Sequence, residues 1–594
     1  MPGSSIFAKI KSWLVMLITT CVLVSCSLGQ DIRSLYPALP DSEPVVPPAN
    51  AKTPYAEVIF KVEIPQGTPL GQRIYLTMLD EVTGLALNPL RYPMDLIDTA
   101  HYQVRIPLPM GSVVKYRYTR EGSPQPIEYN SNGKMVRYRM FKVDGPSMVS
   151  DKVSAWNDLP FEGTTGRIIG KAINGTNGLG VPDILVSVAG LQTLTASDGS
   201  FIIENVPTGV HQVVAYSLDG MYQMFQQGAV IAEASSTLVD ITLAPAPLVE
   251  VTFVVHSPKD SIAGIPIRLV GNIITLGNTF ADLEGGLSTV ASRAPALSWI
   301  EDHLYIYKTM LPAGLDLRYK YTMGDGFWNA EHSGDITFRL RQLIVPATNV
   351  IVEDYIDSWN SGTAAPVQFT ITIPENTPPG ETVSIQFNPY SWTPAIPMWP
   401  LGNNQWMYIL FSPLDMLGNV SYRVCRNDQC GSADDSATAG INFAGGQAFS
   451  ASQTIQKFEY QVQSWNYWSE RNNVSYSPGV LINPRESFFA GIELAPAYSP
   501  NWQGYYGQVL DDVANAGANK LILTPTWRYT NTNLPVLEPV LGQDPTWGDL
   551  QQIVSWVNLR SPELVIFPQS KYPTSADEWW SSATRDAGWW NSWF

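Results

Sequence analysis

The side chains here with chemistry to offer are aromatic first and acidic or basic second. The stretch NPYSWTPAIPMWPLGNNQW sets Tyr390, Trp392, Trp399 and Trp406 among prolines and asparagines. Turn-forming neighbours of that kind make a ring hard to bury completely. A ring left partly open can meet the apolar C–H face of a pyranose while nearby amides satisfy its hydroxyls. These four residues are therefore candidate carbohydrate contacts. Metal chemistry is poorly served: the histidines, at 101, 211, 256, 303 and 332, are scattered, and the chain lacks the second cysteine pair that a zinc site of the usual kind needs. No cofactor is implied.

The four cysteines point to export. Lys9 and Lys11 precede an apolar run from Trp13 to Val24, too short to cross a bilayer comfortably, which ends in Leu23-Val24-Ser25-Cys26. That ending resembles a bacterial lipobox. The resemblance implies removal of residues 1–25 and lipidation of Cys26, whose acyl chains would hold the protein to a membrane by burying CH₂ groups at about 0.8 kcal/mol each. A plain secretory signal or a membrane anchor is the alternative. Cys425 and Cys430 remain, on either side of a tight turn in SYRVCRNDQCGS. A disulfide closing that hairpin suits an exported protein, and two free thiols are the other reading.

A formal charge of −17 argues against nucleic acid or an anionic membrane surface as partner. With 11% aromatic and only 15% charged residues, the chain reads as folded, aromatic-rich β structure in several domains. Residues 26–54 hold the proline-rich run PALPDSEPVVPPANAKTP, an extended tether.

The elements that must position the aromatics come in repeats. EVIFKVEIPQGTPLGQRIYL, VEVTFVVHSPKDSIAGIPIRLVG and VQFTITIPENTPPGETVSIQF each open on period-two alternation, which means strands with one buried face. In the first two, LPMGSVVKYRYTREG and LPAGLDLRYKYTMGDG supply a turn and a further strand pair. All three close on a related phrase ending in Trp156-Asn157, Trp359-Asn360 or Trp465-Asn466. Those tryptophans recur with the fold and read as core. The spans expected are 55–158, 248–362 and 365–468, each a small antiparallel β-sandwich.

LPAGLDLRYKYTMGDGFWNAEH and IRLVGNIITLGN, both in the second repeat, resemble the family-20 starch-binding module. The resemblance implies aromatic stacking on glucose rings and places Trp328 near one stacking position. Where the family sets a second tryptophan after the LGN step, this chain has Thr279. Between the first and second repeats, residues 164–246 resemble the carboxypeptidase regulatory-like, transthyretin-like sandwich. The features that carry this are GVPDILVSV, Ser197-Asp198-Gly199 before Phe201, and Asn205-Val206-Pro207 before Gly209. A spacer or scaffold role is expected for it.

From residue 486 strands alternate with helices. FFAGIEL, NKLILTP and ELVIFP are apolar strands, and a helix around 505–516 with Val509, Leu510 and Val513 on one face lies between the first two. A second helix, opening at Asp544-Pro545, carries Leu550, Ile553, Val554 and Val557. Strict alternation indicates a parallel sheet. ANAGANKLIL and the tryptophan-rich segment resemble the opening of a glycoside-hydrolase (β/α)₈ barrel, with a doubly wound sheet as the alternative. In a barrel the residues after each strand line the active face. Here those are Glu493, Trp527, Arg528 and Gln569, of which Trp527 offers a stacking face and Arg528 several donors. Glycoside hydrolysis takes two carboxyl groups, and Glu493 alone is not a pair. The last residues, DEWWSSATRDAGWWNSWF, read as one helix starting at Ser575, with Trp579, Ala583, Ala587, Trp590 and Phe594 on an apolar face.

The fold class expected is multidomain and mainly β, serial sandwiches followed by a partial, TIM-barrel-like α/β region over 486–594. The function expected is a lipid-anchored, extracytoplasmic carbohydrate-binding protein, the N-terminal part of a polysaccharide-acting glycoside hydrolase, with an α-glucan as the sugar the resemblance favours. Its catalytic carboxylates would lie beyond residue 594, so the chain alone is expected to be inactive. The alternatives are a non-enzymatic surface glycan-binding or adhesion lipoprotein and a structural protein of the cell envelope.

Overall fold

The computed structural model describes residues 41–42, 53–79, 90–259, 261–277, 291, 294–334, 337–377, 380–389, 391–431, 433–435, 446–466, 489–494, 503–529, 535–540, 544–560 and 562–593. The expected signal segment, Cys26, most of the expected tether and Tyr390 lie outside the described residues. The chain falls into two compact units, Met1–Asp41 and Ser42–Phe594. Every element below belongs to the second. Among the described residues no helix is long and apolar enough to cross a membrane.

Each repeat is a pair of sheets closed over aromatic side chains. In the first, one sheet orders Asp95–Leu96, His101–Pro109, Tyr55–Glu63 and Ser147–Lys152. The other orders Leu90–Pro93, Ile74–Met78, Val113–Arg120 and Arg139–Lys142. Alternation along Tyr55–Glu63 buries Ala56, Val58, Phe60 and Val62, the pattern one-sided burial dictates. Val251, Phe253 and Val255 do the same in the second repeat, and Val367, Phe369 and Ile371 in the third. The module inserted between the first and second repeats is a sandwich of three and four strands. In all four sandwiches the first long strand lies parallel to the last: Tyr55–Glu63 with Ser147–Lys152, Thr165–Asn174 with Ser236–Leu243, Leu248–His256 with Val350–Tyr355, and Val367–Thr372 with Gln456–Gln461.

The tryptophan that closes each repeat is buried, and its indole N–H finds a side-chain hydroxyl each time. Trp156 donates to Thr68 Oγ1 at 3.0 Å, Trp359 to Ser261 Oγ at 2.8 Å and Trp465 to Thr377 Oγ1 at 3.0 Å. Each hydroxyl sits in the turn after the repeat's first strand, so the bond ties the end of the module to its beginning and satisfies a donor that burial would otherwise orphan.

The modules are not independent beads. Leu79, Tyr138 and Met140 of the first repeat share a small core with Leu185, Val214, Tyr216 and Leu218 of the inserted module. Gln226 of that module bonds both backbone groups of Lys142, and Gln223 donates to the Ala313 carbonyl of the second repeat at 2.8 Å. The second and third repeats go further and share one continuous hydrophobic core.

The α/β region has three parallel strands, Gly491–Leu494, Lys520–Leu523 and Glu563–Ile566, adjacent in sequence order. Helix α1 (Gln503–Asn515) and helix α2 (Trp547–Asn558) bury Leu510, Val513, Ile553 and Val557 against Leu521 and Leu523, in one core on one face of the sheet. Sequential order is common to the start of a barrel and to half of a doubly wound sheet. The strands continue past short breaks into a second sheet of Leu537–Glu538, Thr526–Tyr529 and Gln569–Lys571.

The single helix expected at the end of the chain is in fact two, α3 (Ala576–Ser581) and α4 (Ala587–Trp593), and Phe594 lies outside the described residues. Ser575 caps α3, accepting from the Glu578 N–H at 3.2 Å. At the break Arg585 donates to the carbonyls of Trp579 and Trp580, and Ser582 also bonds that of Trp579, so the groups freed at the end of α3 are satisfied. Its guanidinium stands 4.7 Å from the centre of the Trp580 ring and 4.1 Å from that of Trp589.

Candidate functional site

The aromatics chosen from sequence are mostly placed inward. Trp328 is fully buried. Asp325 Oδ1 accepts from the N–H groups of Phe327 and Trp328 at 2.8 and 2.7 Å, and that turn drives the indole across the junction between the second and third repeats. There it packs on Phe387, ring centres 4.9 Å apart, and donates to Thr393 Oγ1 at 3.0 Å. Asn329, also buried, bonds Tyr408 Oη at 2.9 Å, the Ile409 carbonyl at 2.7 Å and the Phe411 N–H at 2.7 Å. The position that looked like a sugar platform has no open ring face. Its covering atoms come from the next repeat.

Within the third repeat, Trp399 is buried against Tyr408, and Trp406 is half-buried on the same core. Trp392 is half-buried, with the Arg423 guanidinium 4.2 Å over its ring and the Gly446 backbone close to its far edge. Arg423 is fixed in turn by Gln386 and Asp434. Cys425 and Cys430 are joined by a disulfide across the turn Arg426–Gln429, where Asn427 and Asp428 both take the left-handed backbone.

An open aromatic face stands instead at Trp299, which sequence reasoning passed over. It is 52% exposed, on the short strand Ser298–Glu301 at the edge of the second repeat, and pairs with buried Tyr305. The indole N–H donates to the Asp302 carbonyl at 3.1 Å, which fixes the ring's orientation. A Cβ added to Gly264 would lie 3.8 Å from the ring, so a glycine turn (φ +79°) backs the indole. The matching position is Leu96 in the first repeat, paired with Tyr102, and Pro400 in the third, paired with Trp406. Of the three repeats, only the second puts an aromatic there.

In the α/β region the strand-end pair is tied down. Arg528 Nε donates to Asp544 at 2.8 Å, and the same buried carboxylate accepts from Thr526 at 2.6 Å and from the Val540 N–H at 3.0 Å. Trp527 donates to the Pro545 carbonyl at 3.2 Å and meets Trp547 edge-on. Glu493 and Gln569 are exposed on separate strands, Glu493 opposite Ile522 and Gln569 opposite Thr526.

Two carboxylate pairs were invisible in the sequence. Arg139 bridges Glu128 and Asp151, and Arg341 bridges Glu331 and Asp354 in the equivalent place one repeat later. Paired tyrosines complete each cluster, Tyr116 and Tyr118 on Asp151, Tyr319 and Tyr321 on Asp354. Burial pushes Glu128 and Glu331 upward, and the neighbouring arginine opposes it. With a guanidinium between the carboxylates and no path to solvent at Glu128 or Glu331, these clusters hold the sheets together and cannot reach a substrate. In the third repeat the arginine becomes Gln447, bonded to Tyr422, while Tyr460 pairs with Asp435. The one sequence signal was the shared tyrosine spacing in KYRYT and RYKYT.

No family model and no curated protein sequence matches the chain. Among solved structures, the Bacillus anthracis TIE protein is 10% identical over 72% of this chain and 73% of its own length, with a TM-score of 0.14. A streptococcal ancillary pilin is 9% identical, covering 51% of this chain and 99% of that one, with a TM-score of 0.19. A family 15 glucoamylase from Hypocrea jecorina is 18% identical over 20% of this chain and 19% of its own, with a TM-score of 0.14. Likenesses this low add nothing to the fold, which rests on the chain's own sheets.

Proposed function

We propose that the protein is a carbohydrate-binding protein of the cell exterior, held to a membrane by a lipid on Cys26, with a glycan platform on the second repeat at Trp299. The observation that carries this reading is the exposed indole, fixed through its N–H and backed by a glycine turn. A rigid ring loses little freedom when a sugar covers it, which is what a binding platform needs. The acidic chain favours an uncharged polysaccharide, and an α-glucan is the first to try. On this reading the first repeat and the inserted module are scaffold, and the α/β region opens a barrel that acts on the bound polymer. A non-enzymatic adhesion lipoprotein uses the same platform without the barrel chemistry.

Affinity electrophoresis of the whole chain in gels containing starch, and in gels containing a β-glucan, tests the proposal. Retardation that Trp299→Ala weakens, with circular dichroism unchanged, supports it. Equal mobility of both chains in every neutral polysaccharide would overturn it. Incorporation of labelled palmitate, abolished by Cys26→Ser, tests the anchor.

A further inference from the structure

Among the described residues three tryptophans are exposed, Trp299 at 52%, Trp580 at 47% and Trp590 at 36%. The last two stand together. Their ring centres are 6.2 Å apart and their planes meet at 68°, which makes an open corner with an aromatic wall on each side. The corner is braced from behind. Arg585 lies against Trp580 and bonds its carbonyl, while Trp590 meets Trp589 edge-on at 4.9 Å. Beneath them Trp579 is fully buried and stacks on Tyr529 at 4.4 Å.

Tyr529 ends the strand that continues Lys520–Leu523, and Tyr572, stacked on it at 5.2 Å, follows the strand that continues Glu563–Ile566. The cluster therefore stands beyond the carboxyl ends of two parallel strands, where α/β sheets bind their ligands. The exposed charges around the corner are acidic, Asp577 and Glu578 on α3 and Asp586 just before α4, while the half-buried Arg585 is taken up by ring faces and carbonyls. That disfavours an anionic sugar and favours a neutral ring, whose C–H faces suit aromatic walls.

We propose that the corner formed by Trp580 and Trp590 is a second sugar-binding site, one that takes a single ring of a neutral hexopyranose chain. It rests on the same reading of the protein as a glycan binder, but on other residues in another domain.

The test uses the whole chain carrying Trp299→Ala, so that the platform on the second repeat is silent. It is titrated with maltoheptaose, cellopentaose and laminaripentaose, and with polygalacturonate as the acidic control, by tryptophan fluorescence and calorimetry. One of the neutral oligosaccharides binds, and Trp580→Ala or Trp590→Ala weakens it by about three- to tenfold for each ring. Trp580→Phe and Trp590→Phe keep most of the affinity, which separates stacking from a merely structural role. Three results would overturn the proposal: no neutral oligosaccharide binds, W580A/W590A binds as the parent does, or polygalacturonate binds instead. Self-association in sedimentation that W580A/W590A abolishes would also overturn it, by assigning the corner to a second copy of the chain. Should Trp299→Ala leave retardation untouched while the corner variants remove it, the platform on the second repeat fails and the corner stands. The reverse result keeps the platform and rejects the corner.

Discussion

Two junctions in this molecule join domains by opposite means. The second and third repeats are fused through apolar contact, with Trp328 of one filling the core of the other and Asn329 knotting their backbones. The inserted module meets the α/β region through polar groups. Asp183 accepts from the N–H groups of Trp547 and Gly548 at 3.2 and 2.8 Å, at the start of α2, and Thr193 donates to Glu538 at 3.3 Å. A helix start offers free donors and a favourable dipole to an anion, but α2 already has its own capping pair, Thr546 and Asp549. Asp183 is therefore an added carboxylate, held in a left-handed backbone (φ 58°) beside like charge. An apolar junction makes one cooperative body of two domains, whereas a polar one joins bodies that keep their own stability and respond to pH.

The largest effect should come from Trp328→Ala. Emptying that site costs about 3–5 kcal/mol, and both repeats should lose hydrogen-exchange protection together. If the third repeat kept full protection while the second lost it, the shared core would be refuted.

Next in size is the pH response beside that junction. Burial raises Asp325 to about 7 from 3.8 and lowers His332 to about 4 from 6.5. The raised carboxyl makes the folded state bind a proton more tightly, so its contribution is full below pH 4 and lost as pH climbs through 7. The depressed histidine works the other way, and its contribution is lost as pH falls from 6.5 through 4. The two slopes oppose each other in the wild type. Asp325→Asn should remove one opposing slope, so that its melting temperature falls further on acidification between pH 6.5 and 4 than the wild type's does. Parallel profiles for the variant and the wild type would contradict the assignment.

The polar junction should yield less. Asp183→Ala should cost about 0.5–2 kcal/mol, seen as faster exchange at the start of α2 with each domain still folded. Asp183 is raised to about 6, chiefly by burial, so the contact is tightest below pH 4 and loosens as pH rises through 6. Asp183→Asn should leave it independent of pH. Smallest of all, Trp299→Ala should leave the melting temperature alone, within about 0.5 kcal/mol, because the ring covers little and is exposed.

Strands written in period two could be placed from sequence because each repeat buries its alternate residues within itself. The closing tryptophans were legible as core for the same reason, since recurrence at one place in a fold marks packing. Trp328 was misplaced because what buries it, Phe387 and Thr393, is supplied by another module, and no local pattern records that. Trp299 was missed for a related cause: its exposure comes from its place on an edge strand. The tail followed a helical spacing that breaks between Ser581 and Ala587, and a hydrophobic period carries no trace of the side chains that take up the freed carbonyls.

The parallel pairing of first and last strands in all four sandwiches bears on how the chain would withstand a pull. A module built this way takes in the chain at one pole and releases it at the other. Tension drawn through its ends runs along the two paired strands in opposite directions, so their rungs are sheared together instead of being opened one after another. If the molecule is anchored and grips a polymer as proposed, that arrangement would let the load pass through folded modules without unravelling them.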